Sequence, residues 1–382
     1  MKMAHRERVL RALNHQQPDQ IPIDLGGTYA SSISLGAYVR LTEYLGLKDE
    51  PQIMRKWASV VKPDEKVLQA LDIDVRMVVP RYDPEWNEYW KLKPLPDPGS
   101  FLDEWGLPWK KPENGPSFIS KHPLAGEVTL DEVERYPWPY PDNPERYQGL
   151  KEQARKLREE TDYAVAGMFP RPPVSLSQFI RGYEGWFMDM GMDQPLIEAI
   201  MDHVLGVDLK IGEKLLAEIG KYVDVMFVHD DLATQDRLMC SPATYRKIIK
   251  PRHKKIFDFI KSHSDAKIVY HCDGAITPII EDFIEIGVDA LNPVQISASG
   301  MDTMGLKKKF GDKLAFWGAI DTHTILPKGS VEEVRQEVKK QIACLGENGG
   351  YVLAAVHNIQ DDIPPENIVA MFKAAREFGA YK

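Results

Sequence analysis

Short apolar runs alternate with helix-like patterns along most of the chain. Eight runs are bounded by glycine, proline or polar residues, which is typical of strands that are covered on both faces. The predicted strands lie at 21–25, 75–79, 163–169, 223–231, 267–274, 288–295, 313–321 and 350–358. Amphipathic patterns predict helices between them and at both ends, at 4–15, 35–47, 62–73, 144–160, 177–219, 242–263, 276–286, 302–310, 330–346 and 364–379.

This alternation predicts the α/β class and a parallel sheet, because each strand is followed by a helical crossover. Eight such units favour a (β/α)8 TIM barrel that occupies residues 1–382 as a single domain. An open doubly wound sheet is the alternative. It is the weaker one, because no glycine-rich phosphate turn follows the first strand.

One segment departs from the alternating pattern. From about residue 82 to residue 147, tryptophan, tyrosine and proline crowd together in YDPEWNEYW, LDEWGLPW and YPWPYPDNPERY. The prolines exclude long helices, and so many aromatic residues exclude a disordered linker. We expect an aromatic and proline-rich insertion after the second strand, built of short strands and ordered loops, that packs over one end of the barrel.

Composition excludes several classes of protein. The 382 residues are 43% hydrophobic and 27% charged with a net charge of −9, and no basic block predicts nucleic-acid binding. No apolar run approaches the roughly 18 residues that span a membrane, and the start MKMAHRERVLRALNH lacks a signal-peptide core, so a cytoplasmic protein is expected. The three cysteines are far apart and predict no disulfide framework. The oligomeric state stays open, with a homodimer as the commonest outcome.

Polar residues follow nearly every predicted strand. In a barrel the carboxyl ends of all eight strands surround one mouth, so these residues predict the active site. We expect catalytic roles for Arg81, His229 and Asp230, and contacts with a small-molecule substrate from Arg171, Asn292, Gln295, Asp321 and His323. Side chains alternate along a strand, so only one of the two adjacent carboxylates, Asp230 and Asp231, can face the interior; Asp230 is taken as the functional one.

The run 267–274 carries a possible set of metal ligands. Alternation directs His271 and Asp273 to the same side and Cys272 to the other. Together with His357 they would supply three nitrogen and oxygen ligands with a fourth position open, as catalytic zinc sites require. An alternative set of ligands uses the Cys272 thiolate.

At these residues the chain resembles the uroporphyrinogen decarboxylase superfamily, in particular its methyltransferase-like branch. The shared order of segments carries the resemblance: RERVLRALNHQQPDQIPIDLGG, DEWGLPW, RYPWPYPDNPERY, VHDDLATQDRLMCSPATYRKIIKPRHKKI, HCDGAITPIIEDFIEIGVDALNPVQ, GAIDTHTILPKGSVEEV and GYVLAAVHNIQDDIPPENIVAM. It covers nearly the whole chain and implies a (β/α)8 barrel. True decarboxylases of this superfamily carry an RQAGR segment after the first strand, where this chain has GGTYASSIS and no arginine from there until Arg40. That difference argues against decarboxylation of a substrate with many carboxylates.

The methyltransferase-like branch moves methyl groups to or from a corrinoid. Its thiol-acting members hold zinc through a His-x-Cys pair and a later cysteine; here His271 matches the histidine, while Asp273 and His357 replace the two cysteines. The resemblance therefore implies either Zn²⁺ on harder ligands that acts on an O-methyl substrate or a site that has lost its zinc. It also implies methylcobalamin or another corrinoid supplied by a partner protein. The metal, His229 or Asp230 would then act as the acid on a methoxy-type oxygen.

Two other functions stay open. A decarboxylase of a smaller acid would use Arg81, Arg171 and Asp230, and would release carbon dioxide without metal or corrinoid. A non-catalytic corrinoid- or tetrapyrrole-binding protein would keep tight ligand binding after the loss of His271 and His357.

Overall fold

The fold comes from a computed structural model that describes residues 2–79, 86–87, 90–113, 115–192 and 194–381. Its strands are, in chain order, β1 (Ile33–Ser34), β2 (Gln52–Arg55), β3 (Val60–Lys62), β4 (Val75–Met77), β5 (Trp86–Asn87), β6 (Trp90–Pro94), β7 (Phe101–Asp103), β8 (Pro108–Lys110), β9 (Phe118–Ile119), β10 (Ala164–Met168), β11 (Val225–His229), β12 (Lys267–His271), β13 (Ala290–Asn292), β14 (Ala315–Ile320) and β15 (Tyr351–Ala355).

Helices follow most of these strands. They are α1 (His5–Leu13), α2 (Leu35–Tyr44), α3 (Glu65–Ala70), α4 (Leu130–Glu134), α5 (Leu150–Glu160), α6 (Pro173–Arg181), α7 (Tyr183–Met192), α8 (Gln194–Ile219), α9 (Pro242–Thr244), α10 (Lys250–His263), α11 (Ile280–Glu285), α12 (Thr303–Phe310), α13 (Ile325–Lys328), α14 (Val331–Leu345) and α15 (Pro365–Phe378). Within the described part of the chain, no helix is both long and apolar enough to cross a bilayer.

The main sheet is a barrel of parallel strands. Seven strands pair in the order β4-β10-β11-β12-β13-β14-β15, each parallel to its neighbour. The segment around Ile23 closes the gap between the two ends, because Ile23 bridges Leu353 in parallel and its carbonyl accepts a hydrogen bond from Asp74 N at 3.0 Å. The predicted (β/α)8 barrel is therefore confirmed, with its first strand reduced to these bridging contacts.

Alternate strand residues fill the barrel interior and set which residues reach its mouth. The interior cluster is small and apolar, and consists of Val75, Ala164, Ala166, Val225, Phe227, Val269, Ala290, Ala315, Trp317, Val352 and Ala354, with Val9 and Leu13 of α1 packed against them. Residues of the other parity, such as Tyr270, pack with the helices. Residues two apart on a strand face the same side, so His229 follows Phe227, and His271 follows Val269, on the interior side.

Two antiparallel sheets lie outside the barrel. Strands β5 to β9 pair in sequence order within the predicted insertion, and their tryptophans form its core, with Trp90 and Trp105 in edge contact at 5.0 Å between ring centroids. From Ser120 to Tyr147 the described chain has α4 and a 3₁₀ turn at Pro144–Tyr147 instead of further strands. The second sheet, β1-β3-β2, has no counterpart in the sequence-based prediction.

Candidate active site at the barrel mouth

Three side chains meet at the carboxyl ends of β12 and β15. Asp273 Oδ2 lies 3.5 Å from His271 Nε2 and 3.9 Å from His357 Nε2. One ligand atom from each residue can be chosen so that all three lie within 4.8 Å of one another. The structure thus brings together the three residues that the sequence analysis grouped as metal ligands.

A hydrogen bond with Asn292 fixes the orientation of His271. The Asn292 amide nitrogen donates to the Trp317 carbonyl at 3.1 Å, so the amide oxygen of Asn292 faces His271 Nδ1, at 2.6 Å. Because an amide oxygen only accepts, Nδ1 carries the hydrogen and donates it. Nε2 of His271 is then the nitrogen directed at Asp273, with its lone pair available in the neutral ring.

Charge is distributed unevenly over the three residues. Burial alone would raise the pKa of Asp273, but the neighbouring His271 outweighs it and holds that pKa below its ordinary value. Burial would lower the pKa of His271, and the charges of Asp273 and Asp231 raise it instead. Partial burial lowers the pKa of His357, and Asp273 opposes this shift only in part. At neutral pH the cluster therefore contains an ionised Asp273 and a neutral His357.

A second carboxylate supports the cluster. The backbone N–H of Asp273 donates to Asp231 Oδ1 at 3.0 Å. Burial, and then the charge of Asp273, raise the pKa of Asp231 to about 6. Asp231 thus fixes the backbone that carries Asp273.

The two adjacent carboxylates face different sides of the strand end. Asp230 is fully buried on the helix side, where it accepts hydrogen bonds from Val174 N at 2.9 Å and Ser175 N at 2.7 Å, the first turn of α6. Ser175 Oγ and His253 Nε2 complete its contacts at 2.6 and 3.1 Å. Asp230 therefore anchors the start of α6, whereas Asp231 is the carboxylate that contacts the backbone of Asp273 in the cluster.

His229 is placed where the prediction expected it. Its ring makes an edge contact with the ring of Tyr29, with 5.0 Å between the ring centroids. The distance between the ring centroids of Tyr29 and His271 is 6.4 Å. Burial, assisted by the charges of Arg55 and Arg171, lowers the pKa of His229 well below its ordinary value. His229 is therefore a neutral imidazole beside the cluster.

A pocket of about 370 Å³ opens outward from the cluster. Its lining includes Asp273, His357 and two predicted substrate contacts, Gln295 and His323. Gln295 also accepts a hydrogen bond from Gly274 N at 2.6 Å. These residues can contact a ligand that enters from the rim.

The remaining predicted site residues are not part of the three-residue cluster. Asp321 accepts hydrogen bonds from the backbone N–H groups of the turn that follows it, including Thr324 N at 2.8 Å, so its carboxylate is used as a cap. Cys272 is fully buried on the opposite side of the strand from His271, and it is absent from the three-residue cluster. Arg171 lies beside the ring of Trp109, at 5.9 Å. Arg81 lies outside the described residues.

Three residues near the cluster were missed by the sequence analysis. Arg55, at the end of β2, is 4% exposed, and its guanidinium carbon lies 3.2 Å from the ring centroid of Tyr29 and 4.6 Å from that of Trp57. Tyr29 follows the first barrel strand inside the segment GGTYASSIS. In the sequence only Trp57 stands close to Arg55, and the approach of Tyr29 depends on the unpredicted sheet β1-β3-β2, so the sequence carried no clear signal for this group.

Comparisons with known proteins agree with the barrel fold. The family model for uroporphyrinogen decarboxylase (URO-D) matches residues 106–378. Curated relatives include the uroporphyrinogen decarboxylases of Pseudoalteromonas translucida, 34% identical over 94 residues (22% of this chain and 26% of the relative), and of Shewanella loihica, 27% identical over 144 residues (37% and 38%). The matches thus span well under half of those relatives. A methyltransferase from Methanosarcina mazei has a similar fold, with a TM-score of 0.65 at 18% identity over 98% of this chain and 99% of that one.

Proposed function

This chain belongs to the uroporphyrinogen decarboxylase family, and we propose that within this family of enzymes it is a methyltransferase. It would move a methyl group between a small O-methylated substrate and a corrinoid carried by a partner protein, with a divalent metal ion held at the barrel mouth. The observation that carries the proposal is the cluster of His271, Asp273 and His357.

The cluster suits zinc in chemistry and in size. An ionised carboxylate, a neutral imidazole and an imidazole with its Nε2 directed inward are the ligand types that zinc takes in catalytic sites. Around a tetrahedral zinc ion with bonds of about 2.0–2.2 Å, ligand atoms lie about 3.3–3.6 Å apart. The three ligand atoms of the cluster lie within 4.8 Å of one another, so metal binding would draw them together by up to about 1 Å. When bound there, the metal would act as a Lewis acid toward the oxygen of the substrate.

The chain itself would bind and orient the substrate. His229 presents a neutral imidazole beside the cluster, and Gln295 and His323 line the outer pocket. His357, with 40% of its side chain exposed, lies at the boundary between cluster and pocket. The corrinoid ring, held by its partner protein at the rim of the barrel, could therefore face a substrate methyl group that is fixed next to the cluster.

A decarboxylase of a smaller acid is the second candidate. The curated relatives carry that name, and Arg55 and Arg171 place positive charge close to His229. This reading assigns the three-residue cluster to acid–base work and needs neither metal nor corrinoid.

Metal analysis combined with a methyl-transfer assay tests the proposal. We expect about one zinc per chain in the purified protein, and zinc-dependent formation of methylcobalamin when reduced cobalamin, as the probe, is mixed with methoxylated compounds. Carbon dioxide release from a carboxylic acid by metal-free protein would instead identify a decarboxylase. Tight cobalamin binding without turnover, unchanged in His271→Ala and His357→Ala, would identify a binding protein.

Asn292 should act as a positioning residue for His271. In Asn292→Ala the hydrogen bond to His271 Nδ1 is lost, and we expect the affinity for zinc to fall by about 10–100-fold, measured by competition with a chelator. Asn292→Asp keeps an acceptor oxygen at the same place and should retain most of the affinity. Equal loss in both variants would show that Asn292 acts through packing alone.

A further inference from the structure

The outer pocket, which opens from the cluster, is polar without being cationic. Its described lining combines the carboxylate of Asp273 with four side-chain amides, two threonine hydroxyls and two histidines, and it includes no lysine or arginine. The two arginines whose charges act on His229, Arg55 and Arg171, are not among these lining residues. An anion in the outer pocket would therefore face Asp273 without a lysine or arginine beside it to offset the repulsion.

Gln295 gives the outer pocket a fixed hydrogen-bond donor. The residue follows β13 and is 8% exposed, and its Oε1 accepts the backbone N–H of Gly274 at 2.6 Å. Because a backbone N–H can only donate, this contact identifies Oε1 and leaves Nε2 as the other end of the amide. Nε2 has no hydrogen-bond partner within the described residues and is open to solvent. Its N–H groups are therefore available to a ligand.

Asn358 gives the same pocket a fixed acceptor from a different strand end. The residue follows β15 and is 4% exposed, and its Nδ2 donates to the carbonyls of Tyr29 and Ala30, the latter at 3.2 Å. A carbonyl can only accept, so the remaining end of this amide is Oδ1. In the described part of the chain Oδ1 has no partner, and it too is open to solvent. Neither amide can exchange its two ends without losing a hydrogen bond to the backbone.

This combination of groups selects for a hydroxyl. A hydroxyl both donates and accepts, whereas a carboxylate or an ether oxygen only accepts. A carboxylate would leave Asn358 Oδ1 unsatisfied and would place a second negative charge near Asp273. The described lining also contains no phenylalanine, tyrosine or tryptophan, which favours an aliphatic ligand over an aromatic one.

We propose that the substrate of this site is a small, uncharged aliphatic alcohol that carries a methoxy group, and that Gln295 and Asn358 determine the specificity for its hydroxyl. The ether oxygen would lie toward the cluster and the hydroxyl toward the two amides. This inference rests on the proposed methyl transfer for the fate of the ether, while the preference for a hydroxyl can be tested by binding alone.

The transfer itself balances without a further reactant. The bond between the methyl carbon and the ether oxygen breaks, and its electron pair stays on the oxygen. An electron pair of the reduced corrinoid forms the new bond to the methyl carbon. A proton from water then replaces the methyl group on the oxygen, so that the product is a diol.

Ligand-observed NMR titration with three ligands of similar size tests the preference. In place of the hydroxyl of 2-methoxyethanol, 1-methoxypropane has a methyl group and methoxyacetate has a carboxylate. The protein is treated with EDTA, so that the acid cannot gain affinity by coordinating a metal ion. We expect 2-methoxyethanol to bind about fivefold more tightly than either of the others, as one or two hydrogen bonds would give. Equal or tighter binding of 1-methoxypropane or of methoxyacetate would overturn the proposal.

Two variants of Gln295 separate contact with the ligand from support of the loop. Gln295→Met removes both ends of the amide, whereas Gln295→Glu keeps the acceptor for Gly274 N–H and replaces the Nε2 donor by an acceptor. We expect the preference for 2-methoxyethanol over 1-methoxypropane to fall severalfold in both. Recovery of the preference in Gln295→Glu would show that Gln295 only supports the loop, and its retention in both variants would also refute the assigned role. Gln336→Glu, an exposed glutamine on α14, is the control for the added charge.

The methyl-transfer assay separates this inference from the proposed function. With the metal-loaded protein, kcat/KM for 2-methoxyethanol should exceed that for 1-methoxypropane by about the same factor as in binding. Equal transfer from both would refute the hydroxyl specificity while the methyltransferase proposal stands. A preference for 2-methoxyethanol in binding, without methyl transfer from any ligand, would refute the proposed function and leave the specificity of the pocket in place.

Discussion

Replacing His271 by alanine is expected to remove the bound metal ion and to lower methyl transfer by about a hundredfold to a thousandfold. His271 is the cluster residue whose ring is fixed by Asn292, and it is 5% exposed, so no other group can take its place without moving the strand end. Two remaining ligands do not hold zinc in a catalytic site, and loss of the Lewis acid costs several kcal/mol in the transition state. Elemental analysis and the cobalamin assay measure the two effects.

Cys272→Ala is the matched control, because it changes the adjacent residue of the same strand end. Its thiol is fully buried, and burial raises its pKa well above the ordinary value, which opposes the thiolate that a metal would need. We expect metal content and methyl transfer close to those of the wild type. Loss of metal in Cys272→Ala would mean that the alternative set of ligands with Cys272 is the correct one. Retention of metal in His271→Ala would mean that His271 is not a ligand.

Much of this site could be predicted because barrel strands obey a strict alternation. The apolar runs predicted eight strands, and the alternation placed His271 and Asp273 on one side and Cys272 on the other, as the structure has them. The same rule contained the answer for the carboxylate pair. Val225 and Phe227 are interior residues, so Asp231 shares their parity and Asp230 does not. The side of the strand that Asp230 faces could therefore be read from the apolar residues, but the catalytic role of either carboxylate could not.

Arg55 and its neighbours could not be predicted in this way. They lie on β2 and on the turn before β3, where only a few short strands pair and no long apolar pattern exists. Their closeness to His229 depends on how β1-β3-β2 and the inserted sheet pack over the mouth. Such contacts join residues far apart in the chain and leave no periodic signal in a single sequence.

Asp74 holds the two ends of the barrel together. Its side chain is fully buried, and Oδ2 accepts a hydrogen bond from Ile23 N at 2.7 Å, across the closing seam. Oδ1 contacts Arg8 and His5 Nδ1, the latter at 2.7 Å, and Oδ2 contacts Arg376 Nη2 at 2.8 Å. One carboxylate thus joins the first strand segment, α1, α15 and the start of β4.

Asp74→Asn should lower the free energy of unfolding at pH 7 by up to about 3–5 kcal/mol, because it removes the fully buried counter-charge that Arg8 and Arg376 share and leaves them only the more exposed Asp19 and Asp72. Asp72→Asn is the matched control: Asp72 also pairs with Arg376, at 2.8 Å, but its side chain is 40% exposed, so a loss of about 1 kcal/mol or less is expected.

Burial would raise the pKa of Asp74, but His5, Arg376 and Arg8 outweigh it and lower that pKa. A carboxyl with a lowered folded-state pKa stabilises the fold above its unfolded pKa of about 4, and this contribution is lost as the pH falls further. Urea unfolding of both variants at pH 7 and near pH 3 should therefore show the deficit of Asp74→Asn shrinking in acid; an equal cost for Asp72→Asn, or a deficit independent of pH, would contradict the role of Asp74 at the seam.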